Sequence, residues 1–347
     1  MRFTIWRSVR NLAAIGLIGI SAQQACGQLP AEWMKYDGKE QAERSETPVS
    51  LASHGAVADC ELPSSCCEED CIGNWFANTQ VWLGGEAYKG FGDTTDPPGV
   101  GTGFMDSFGL VTGFNTGLAL GESRVRAQVG ASYGAYDFKG RDSVSTDSLE
   151  QQVYLTAGFY QRSDVENDEH ISWGLVYDQF FGHQWGLFAN EISLGQIRGI
   201  LGYALNECNE VGVWGTFHVG KDASALDITP PPIRAMNQAN FYLRHNFEYG
   251  ANAMFYVGAF DAADVGSWQF GFLGDAPLND SLSMYANFNL ASPGSATGVV
   301  GSNEEQWNIG LGLMYTFGGK AVSDTVSGQA GLPLLPVANN GSFLITN

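Results

Sequence analysis

The chain has 347 residues, enough for one large β domain or two ordinary ones. Charged residues make up 16% and aromatic residues 12%, with 45 glycines; soluble domains usually have about 25% charged residues. The net charge of -20 argues against nucleic acid or anionic lipid as a partner. A mean hydropathy of -0.10 fits a membrane β-barrel, in which apolar and polar side chains alternate, and also fits a secreted β-sandwich.

The N-terminus has the features of a cleaved export signal. Three arginines precede a short apolar core, residues 12–21, and small residues follow around Cys26. The core is too short to span a bilayer comfortably, so residues 1–27 are predicted to be a signal peptide. Cleavage before Cys26 with lipidation is the alternative. Removal of residues 1–27 deletes three arginines and no acidic residue, so the net charge becomes 14 - 37 = -23.

Residues 28–73 form an acidic leader that carries most of the cysteines. Scattered prolines and the lack of hydrophobic periodicity predict a periplasmic segment without its own core. The spacing C-x5-C-C-x3-C in an exported chain favours disulfides over zinc, which usually binds two spaced C-x2-4-C pairs. Five cysteines remain after cleavage, an odd number, so one must stay free or pair elsewhere: Cys60, Cys66, Cys67, Cys71 and Cys208. No metal site and no cofactor is predicted.

From Trp75 to Phe317, short runs alternate apolar with polar or small residues. In the third run, apolar residues occupy every second position from Val125 to Ala135, and Gln128, Gly130 and Ser132 lie between them. A period of two over a dozen residues places the two sets on opposite faces of a strand. Twelve strands are predicted, near 75–87, 108–120, 124–136, 151–161, 170–180, 192–205, 211–220, 238–248, 251–260, 266–274, 281–290 and 306–317.

The connections between these strands alternate in length. Long polar links, such as 181–191 and 221–237, follow odd strands, and mostly tight links follow even strands, with 162–169 longer than the rest. Short turns at one rim and long loops at the other are typical of outer-membrane barrels with both termini in the periplasm. Because an open edge would leave backbone groups unpaired in hydrocarbon, the sheet must close. The predicted fold class is all-β, a closed antiparallel transmembrane β-barrel of about 12 strands over residues 74–317.

Aromatic residues gather at the predicted strand ends, where an aromatic girdle at the membrane interfaces would place them. Ordinary core aromatics of a β-sandwich are the alternative. The residues are Trp75, Tyr88, Phe91, Tyr136, Phe138, Trp185, Phe188, Tyr315 and Phe317.

The closing run NIGLGLMYTF, residues 308–317, resembles the aromatic-ended strand that the barrel-assembly machinery recognises. Together with the signal peptide and strand count, it makes residues 75–317 similar to Gram-negative-type outer-membrane β-barrel proteins. The resemblance implies that the barrel-assembly machinery and outer-membrane lipid are partners. The glycine-rich body behind an acidic, cysteine-bearing leader is also similar to uncharacterised planctomycete barrel-like proteins, a weaker resemblance that implies no activity.

The chain departs from that pattern after Phe317, because some thirty further residues follow. Residues 318–347 are predicted to be a loop-like periplasmic tail, in which residues 343–346 could add a short strand. Cys71 precedes the first strand and Cys208 lies in a tight turn, so both belong on the periplasmic side. We therefore predict that Cys208 pairs with a leader cysteine.

The inward face carries charged and amide side chains that would line the lumen. They suit a selectivity lining for small polar solutes, or a structural ion-pair network that fills a narrow barrel. The lumen-facing candidates are Glu86, Arg124, Arg126, Asp178, Gln196, Arg198, Arg244 and Glu248.

No strong catalytic signal occurs in the sequence. His218 with Asp222 and Asp227 could supply a base and its orienting acid, but no serine stands in a recognisable nucleophile motif beside them. Barrel phospholipases carry a His-x-Ser-Asn run, and His245-Asn246-Phe247 lacks the serine. The predicted function is a passive pore for small polar solutes. A structural or surface-interaction barrel with a filled lumen is the alternative, and an outer-membrane hydrolase is third.

Overall fold

The structure is a computed structural model. It describes residues 76–90, 107–138, 149–185, 189–221, 233–262, 266–293, 305–323, 325–326, 329 and 331–346. The chain divides into two units, Met1–Glu61 and Leu62–Asn347, and every described residue belongs to the second. The predicted signal peptide and the leader with its four cysteines lie outside the described residues.

Twelve antiparallel strands form a closed barrel, as predicted, and two short strands form a separate pair. The barrel order is β1-β13-β12-β11-β10-β9-β7-β6-β5-β4-β3-β2, and β1 closes on β13 from Gln80↔Thr316 to Lys89↔Trp307. The strands are β1 (Thr79–Lys89), β2 (Ser107–Ala119), β3 (Arg126–Tyr136), β4 (Glu150–Gln161), β5 (Ile171–Trp185), β6 (Ala189–Ala204), β7 (Asn209–Val219), β8 (Arg234–Ala235), β9 (Gln238–Asn246), β10 (Asn252–Phe260), β11 (Gly266–Pro277), β12 (Leu282–Pro293), β13 (Gln306–Thr316) and β14 (Ile345–Thr346).

The two faces of the barrel wall differ in polarity. Large apolar side chains such as Leu83, Phe217 and Leu311 are 54–67% exposed on the outer face. Polar side chains such as Gln128 and Asn289 are buried on the inner face. This follows from the period of two in the sequence, because successive side chains of a strand point to opposite sides.

The two rims differ in how the strands are connected. One rim carries the links 120–125, 162–170, 205–208, 247–251 and 278–281, and we call it the short-turn rim. The other, the long-loop rim, carries links such as 90–106 and 294–305. The prediction of a long link at 181–191 was wrong, because β5 and β6 stay paired as far as Trp185↔Ala189. Only residues 186–188 connect them.

Three residues of the predicted aromatic girdle lie inside the barrel instead. Tyr88, Tyr136 and Trp185 are at most 3% exposed. Tyr88 lies two positions after Glu86 on β1, and Tyr136 lies an even number of positions after Gln128 on β3. Both tyrosines therefore point inward, like these polar residues. Trp185 turns inward because Gln184, at φ 57, breaks the alternation of β5. Phe138 and Tyr315 are exposed, and Trp75, Phe91 and Phe188 lie outside the described residues.

Among the described residues, no helix is both long enough and apolar enough to cross a bilayer.

Candidate functional site in the barrel lumen

The C-terminal tail first crosses the short-turn rim. Lys320 Nζ donates to Asn78 Oδ1 at 2.8 Å, just before β1. The backbone N–H of Ala321 donates to the carbonyl of Asp280 at 2.9 Å, and that of Val326 to the carbonyl of Glu207 at 2.8 Å. These partners come from three separate places on the rim, so the tail is held across it.

The tail then enters the lumen at residue 331, and we call residues 331–346 the plug. Tyr160 Oη donates to the carbonyl of Gly331 at 2.8 Å. Arg162, in the link after β4, donates from Nε to Leu332 O at 2.9 Å and from Nη2 to Pro333 O at 2.5 Å. Burial lowers the pKa of Arg162 to about 10, so its guanidinium stays charged at neutral pH.

The middle of the plug is bound by polar side chains of the barrel wall. The carbonyl of Leu335 accepts from Asn115 Nδ2 at 2.9 Å and from Gln128 Nε2 at 2.6 Å. The carbonyl of Pro336 accepts from Arg198 Nη2 at 2.7 Å. Buried carbonyls in an irregular segment need such donors, since no neighbouring strand supplies them.

Asn340 ties the plug to β1 and β4 at once. Its Nδ2 donates to Glu86 Oε1 at 3.1 Å and to Gln152 Oε1 at 2.9 Å, and its Oδ1 accepts from Tyr154 Oη at 2.9 Å. The carboxyl group of Glu86 also accepts from Tyr136 and Asn308, so it is surrounded by neutral donors.

The end of the plug reaches the long-loop rim. β14 pairs with β8, Ile345 opposite Ala235, and β8 lies in the link between β7 and β9. The N–H of Met236 donates to the carbonyl of Leu344 at 2.8 Å. The plug therefore runs through the lumen from the short-turn rim to the long-loop rim.

Apolar side chains of the plug join three clusters of the core, of which Leu344 joins the smallest. In the first, Val337, Ala338, Phe343 and Ile345 pack with side chains of β4, β5, β6 and the β7–β9 link, Phe180 among them. In the second, Leu334 and Leu335 join a larger set from the wall: Tyr160, Val176, Ile200, Trp214, Tyr242, Met254 and Tyr256. The predicted tail is thus mostly irregular, but it lies in the lumen and not below the barrel.

The structure places four of the predicted lumen residues at fully buried inward positions: Glu86, Asp178, Gln196 and Arg198. Asp178 forms an ion pair with Arg198 and accepts from its Nη2 at 3.0 Å, from Thr156 Oγ1 at 2.7 Å and from Gln196 Nε2 at 3.0 Å. This ion pair and its amide neighbours bind each other and, through Arg198, the plug.

The remaining four predicted lumen residues lie near the short-turn rim. Arg126 and Arg244 are half-buried, and Arg244 Nη1 donates to Glu210 Oε1 at 2.9 Å. For Arg124 and Glu248 the inward prediction was wrong. β3 begins after Arg124, which is exposed and pairs with Glu169, and β9 ends before Glu248, which is exposed in a turn. The alternation that predicted them does not continue past the strand ends.

A cavity of about 210 Å³ remains between the plug and the wall. Trp82, Asn252 and Asn287 line it from the wall, and Leu332, Leu335 and Asn339 from the plug. Sequence reasoning missed this site because it missed the plug. The available signal was the apolar run Leu332–Val337, which a solvated tail would not need.

Among the described residues, His170, His218 and His245 make their hydrogen bonds outside the plug. His170 Nδ1 bonds the Ala204 carbonyl at 2.8 Å, and His218 Nδ1 lies 3.0 Å from Asn237 Oδ1. His245 Nδ1 lies 2.8 Å from Asn209 Oδ1. Asp222 and Asp227, the acids considered with His218, lie outside the described residues.

Cys208 is buried in the β6–β7 link at the short-turn rim. Its predicted partners Cys60, Cys66, Cys67 and Cys71 lie outside the described residues. The pairing of Cys208 with the leader stays a prediction.

Comparison with solved structures gives several β-barrels. Outer membrane phospholipase A from Escherichia coli is 12% identical, covers 69% of this chain and 96% of its own, with a TM-score of 0.41. The NanC porin is 8% identical, and the match covers 68% of this chain and 98% of the porin, with a TM-score of 0.41. The P. putida toluene transporter TodX is 11% identical, and the match covers 69% of this chain and 89% of TodX, with a TM-score of 0.36. At such identities and TM-scores, none of the three indicates an activity or a substrate.

No curated protein matches the chain. Residues 78–345 match the family described as a family of unknown function, DUF6666. The match runs through the barrel and through almost all of the plug, so both are parts of the family's domain. The chain belongs to the DUF6666 family.

Proposed function

We propose that the protein is an outer-membrane barrel closed by its own C-terminal plug, with a structural or surface-interaction role. The observation that carries this proposal is the course of the plug. It is bound near the short-turn rim by Arg162, at mid-height by Arg198, and beyond that by Asn340 and β14. A solute crossing the barrel would have to displace or bypass it.

The proposed membrane location is supported by the outer face of the barrel. Its exposed apolar side chains suit hydrocarbon, and its strands of 9–16 residues reach the roughly 9–11 residues needed to cross a bilayer at a tilt. In this orientation the short-turn rim faces the periplasm. Outer-membrane lipid and the barrel-assembly machinery would be its partners, as the resemblance of residues 308–317 implies.

The number of strands explains why a plug is useful. Side chains alone fill a barrel of about eight strands, whereas about sixteen strands leave an aqueous channel. A barrel of twelve strands lies between these limits, so a further segment is needed to fill it. We therefore favour the filled barrel over the passive pore for small polar solutes, and we propose no enzymatic activity.

Conductance in planar bilayers tests the proposal. The complete mature chain should give no steps, and a chain ending at Phe317 should give steps, because it keeps the twelve strands and lacks the plug. Heat-modifiable gel migration of both proteins controls for folding of the barrel. Steps of equal size from both proteins would refute the plugged barrel and return the passive pore as the better function.

A further inference from the structure

The plug fills the lumen unevenly. Its central carbonyls bind side chains of β2, β3 and β6, namely Asn115, Gln128 and Arg198. The opposite wall, made by β1 and β10–β13, lines much of the cavity of about 210 Å³. One water needs about 10–15 Å³ of such space, so the cavity has room for on the order of fifteen water-sized groups.

The cavity reaches the short-turn rim. Gln80, the second residue of β1, and Asn252, the first of β10, line it together with Arg162 in the β4–β5 link. Towards the long-loop rim, the plug is packed in the apolar cluster around Phe180 and Phe343. A ligand would therefore enter from the short-turn side.

Two guanidinium groups line this cavity, Arg162 and Arg244, and so do two carboxyl groups, Glu86 and Asp275, each of which accepts a hydrogen bond from an asparagine side chain. Arg244 is paired with Glu210. Arg162 donates to three neutral oxygens, those of Leu332, Pro333 and the Gln329 side chain, and among the described residues it makes no ion pair. A guanidinium has five N–H donors in a planar fork that matches a carboxylate, so Arg162 has donors left for one.

Amide groups on the cavity wall also lack partners. Asn115 Oδ1 and Asn287 Oδ1 are buried and accept no hydrogen bond within the described part of the chain. Asn115 is only 3% exposed. Buried polar atoms are nearly always paired, with protein, water or a ligand. Both side chains line the cavity, with the Asn115 oxygen against Gly130 and the Asn287 amide against Gly310, so rotation of either amide towards the cavity would let its oxygen accept from a hydroxyl group of a bound molecule.

We propose that this cavity binds a small hydroxylated organic acid, whose carboxylate pairs with Arg162 and whose hydroxyl groups donate to Asn115 and Asn287. The two asparagine oxygens accept from hydroxyls, which explains a lining rich in amides. The inference rests on the proposed function, because the plug forms one wall of the site.

Equilibrium dialysis of the complete mature protein in detergent tests the site, with gluconate as the probe and glucose as its neutral counterpart of similar size. Saturable binding of gluconate, at least tenfold tighter than that of glucose, is expected. Equal binding of the two, or no binding of gluconate, would overturn the proposal. So would displacement of gluconate by an equal concentration of inorganic phosphate, which would indicate a general anion site.

Three variants locate the site. Arg162→Gln should weaken gluconate binding at least tenfold, and Arg126→Gln, which removes the same charge near the same rim but does not line the cavity, should leave it unchanged. Because Arg162 also holds the plug, Gln80→Glu is the second test. Among the described residues Gln80 makes no hydrogen bond to the plug, and the added negative charge at the mouth should weaken binding several-fold. Unchanged gluconate binding in both Arg162→Gln and Gln80→Glu would refute the site.

The two proposals fail differently. A barrel that gives no conductance steps and binds no gluconate contradicts the ligand site alone. A complete chain that conducts like the chain ending at Phe317 contradicts the plug, whatever binds to it.

Discussion

At the scale of single residues, the ion pair between Asp178 and Arg198 is a buried polar feature of the lumen. Both side chains are at most 3% exposed. Burial of two charges is tolerated only when they are paired and further hydrogen-bonded. Thr156, Gln196 and the Pro336 carbonyl supply those bonds, so the pair connects three strands and the plug.

Asp178→Asn should therefore destabilise the protein by about 3–5 kcal/mol, because the buried charge of Arg198 loses its counter-charge. Urea unfolding in detergent measures this change. Glu169→Gln is the matched control, since it breaks the ion pair between Arg124 and Glu169, whose side chains are 38% and 47% exposed. Such exposed pairs contribute only about 0–1 kcal/mol, so equal losses from the two variants would contradict a structural role for the buried pair.

The alternation of side chains between the two faces of a strand could be read from the sequence, and it predicts the inward positions of Glu86, Asp178 and Arg198. It could not give the partners of these residues. Glu86 and Arg198 bind residues of the plug, more than 130 positions further along the chain. The alternation also gave wrong predictions beyond the strand ends, for Arg124 and Glu248, because the backbone of a turn no longer points side chains to alternate faces.

At the scale of elements, the sequence of the plug shows why the tail was predicted to lie outside the barrel. The plug has no period of two, and Pro333 and Pro336 prevent it from joining a ladder on both sides. These prolines suit a lumen instead, because they bring carbonyls that arginines can bind and no N–H that would need a partner. The barrel strands were predictable because their period is local, whereas the site of the plug depends on contacts distant in sequence.

Gly117 of β2 lies against the first residue of the plug. A Cβ at this position would lie 2.1 Å from the Gly331 carbonyl oxygen and 2.2 Å from Tyr160 Oη. Gly117→Val should thus push the plug aside while the strand still forms. The expected results are faster cleavage of the tail by added protease and the appearance of conductance steps.

Gly199 of β6 provides the control for Gly117. A Cβ there would meet its nearest atom at 3.7 Å, an ordinary contact. Gly199→Val should leave both protease cleavage and conductance unchanged. A Gly117→Val protein that behaves in the same way would show that the plug does not pack against β2.

At the scale of the whole molecule, the apolar outer face determines where the barrel can reside. Leu311 of β13 is 54% exposed on that face, and Leu278 is 58% exposed in the β11–β12 link at the short-turn rim. An arginine on the lipid-facing side near the bilayer midplane costs about 2–4 kcal/mol, and one near the interface about 0–1 kcal/mol.

Leu311→Arg should accordingly lower folding stability in lipid vesicles by about 2–4 kcal/mol, and Leu278→Arg should change it little. Reversible unfolding by guanidinium in vesicles gives both values. Equal effects of the two substitutions would mean that the apolar face does not meet hydrocarbon, and the proposed membrane location would be lost.

The central claim is that residues 331–346 lie inside the barrel, and a pair of cysteines tests it most directly. The Ala338 N–H lies 3.1 Å from Thr156 Oγ1 on the inner face of β4, and the neighbouring Leu155 points outward. Mild oxidation of Thr156→Cys/Ala338→Cys, followed by peptide mapping, should give the 156–338 cross-link in high yield. Leu155→Cys/Ala338→Cys should give none. Absence of the first cross-link in a folded barrel, or equal yields from the two pairs, would contradict a plug in the lumen.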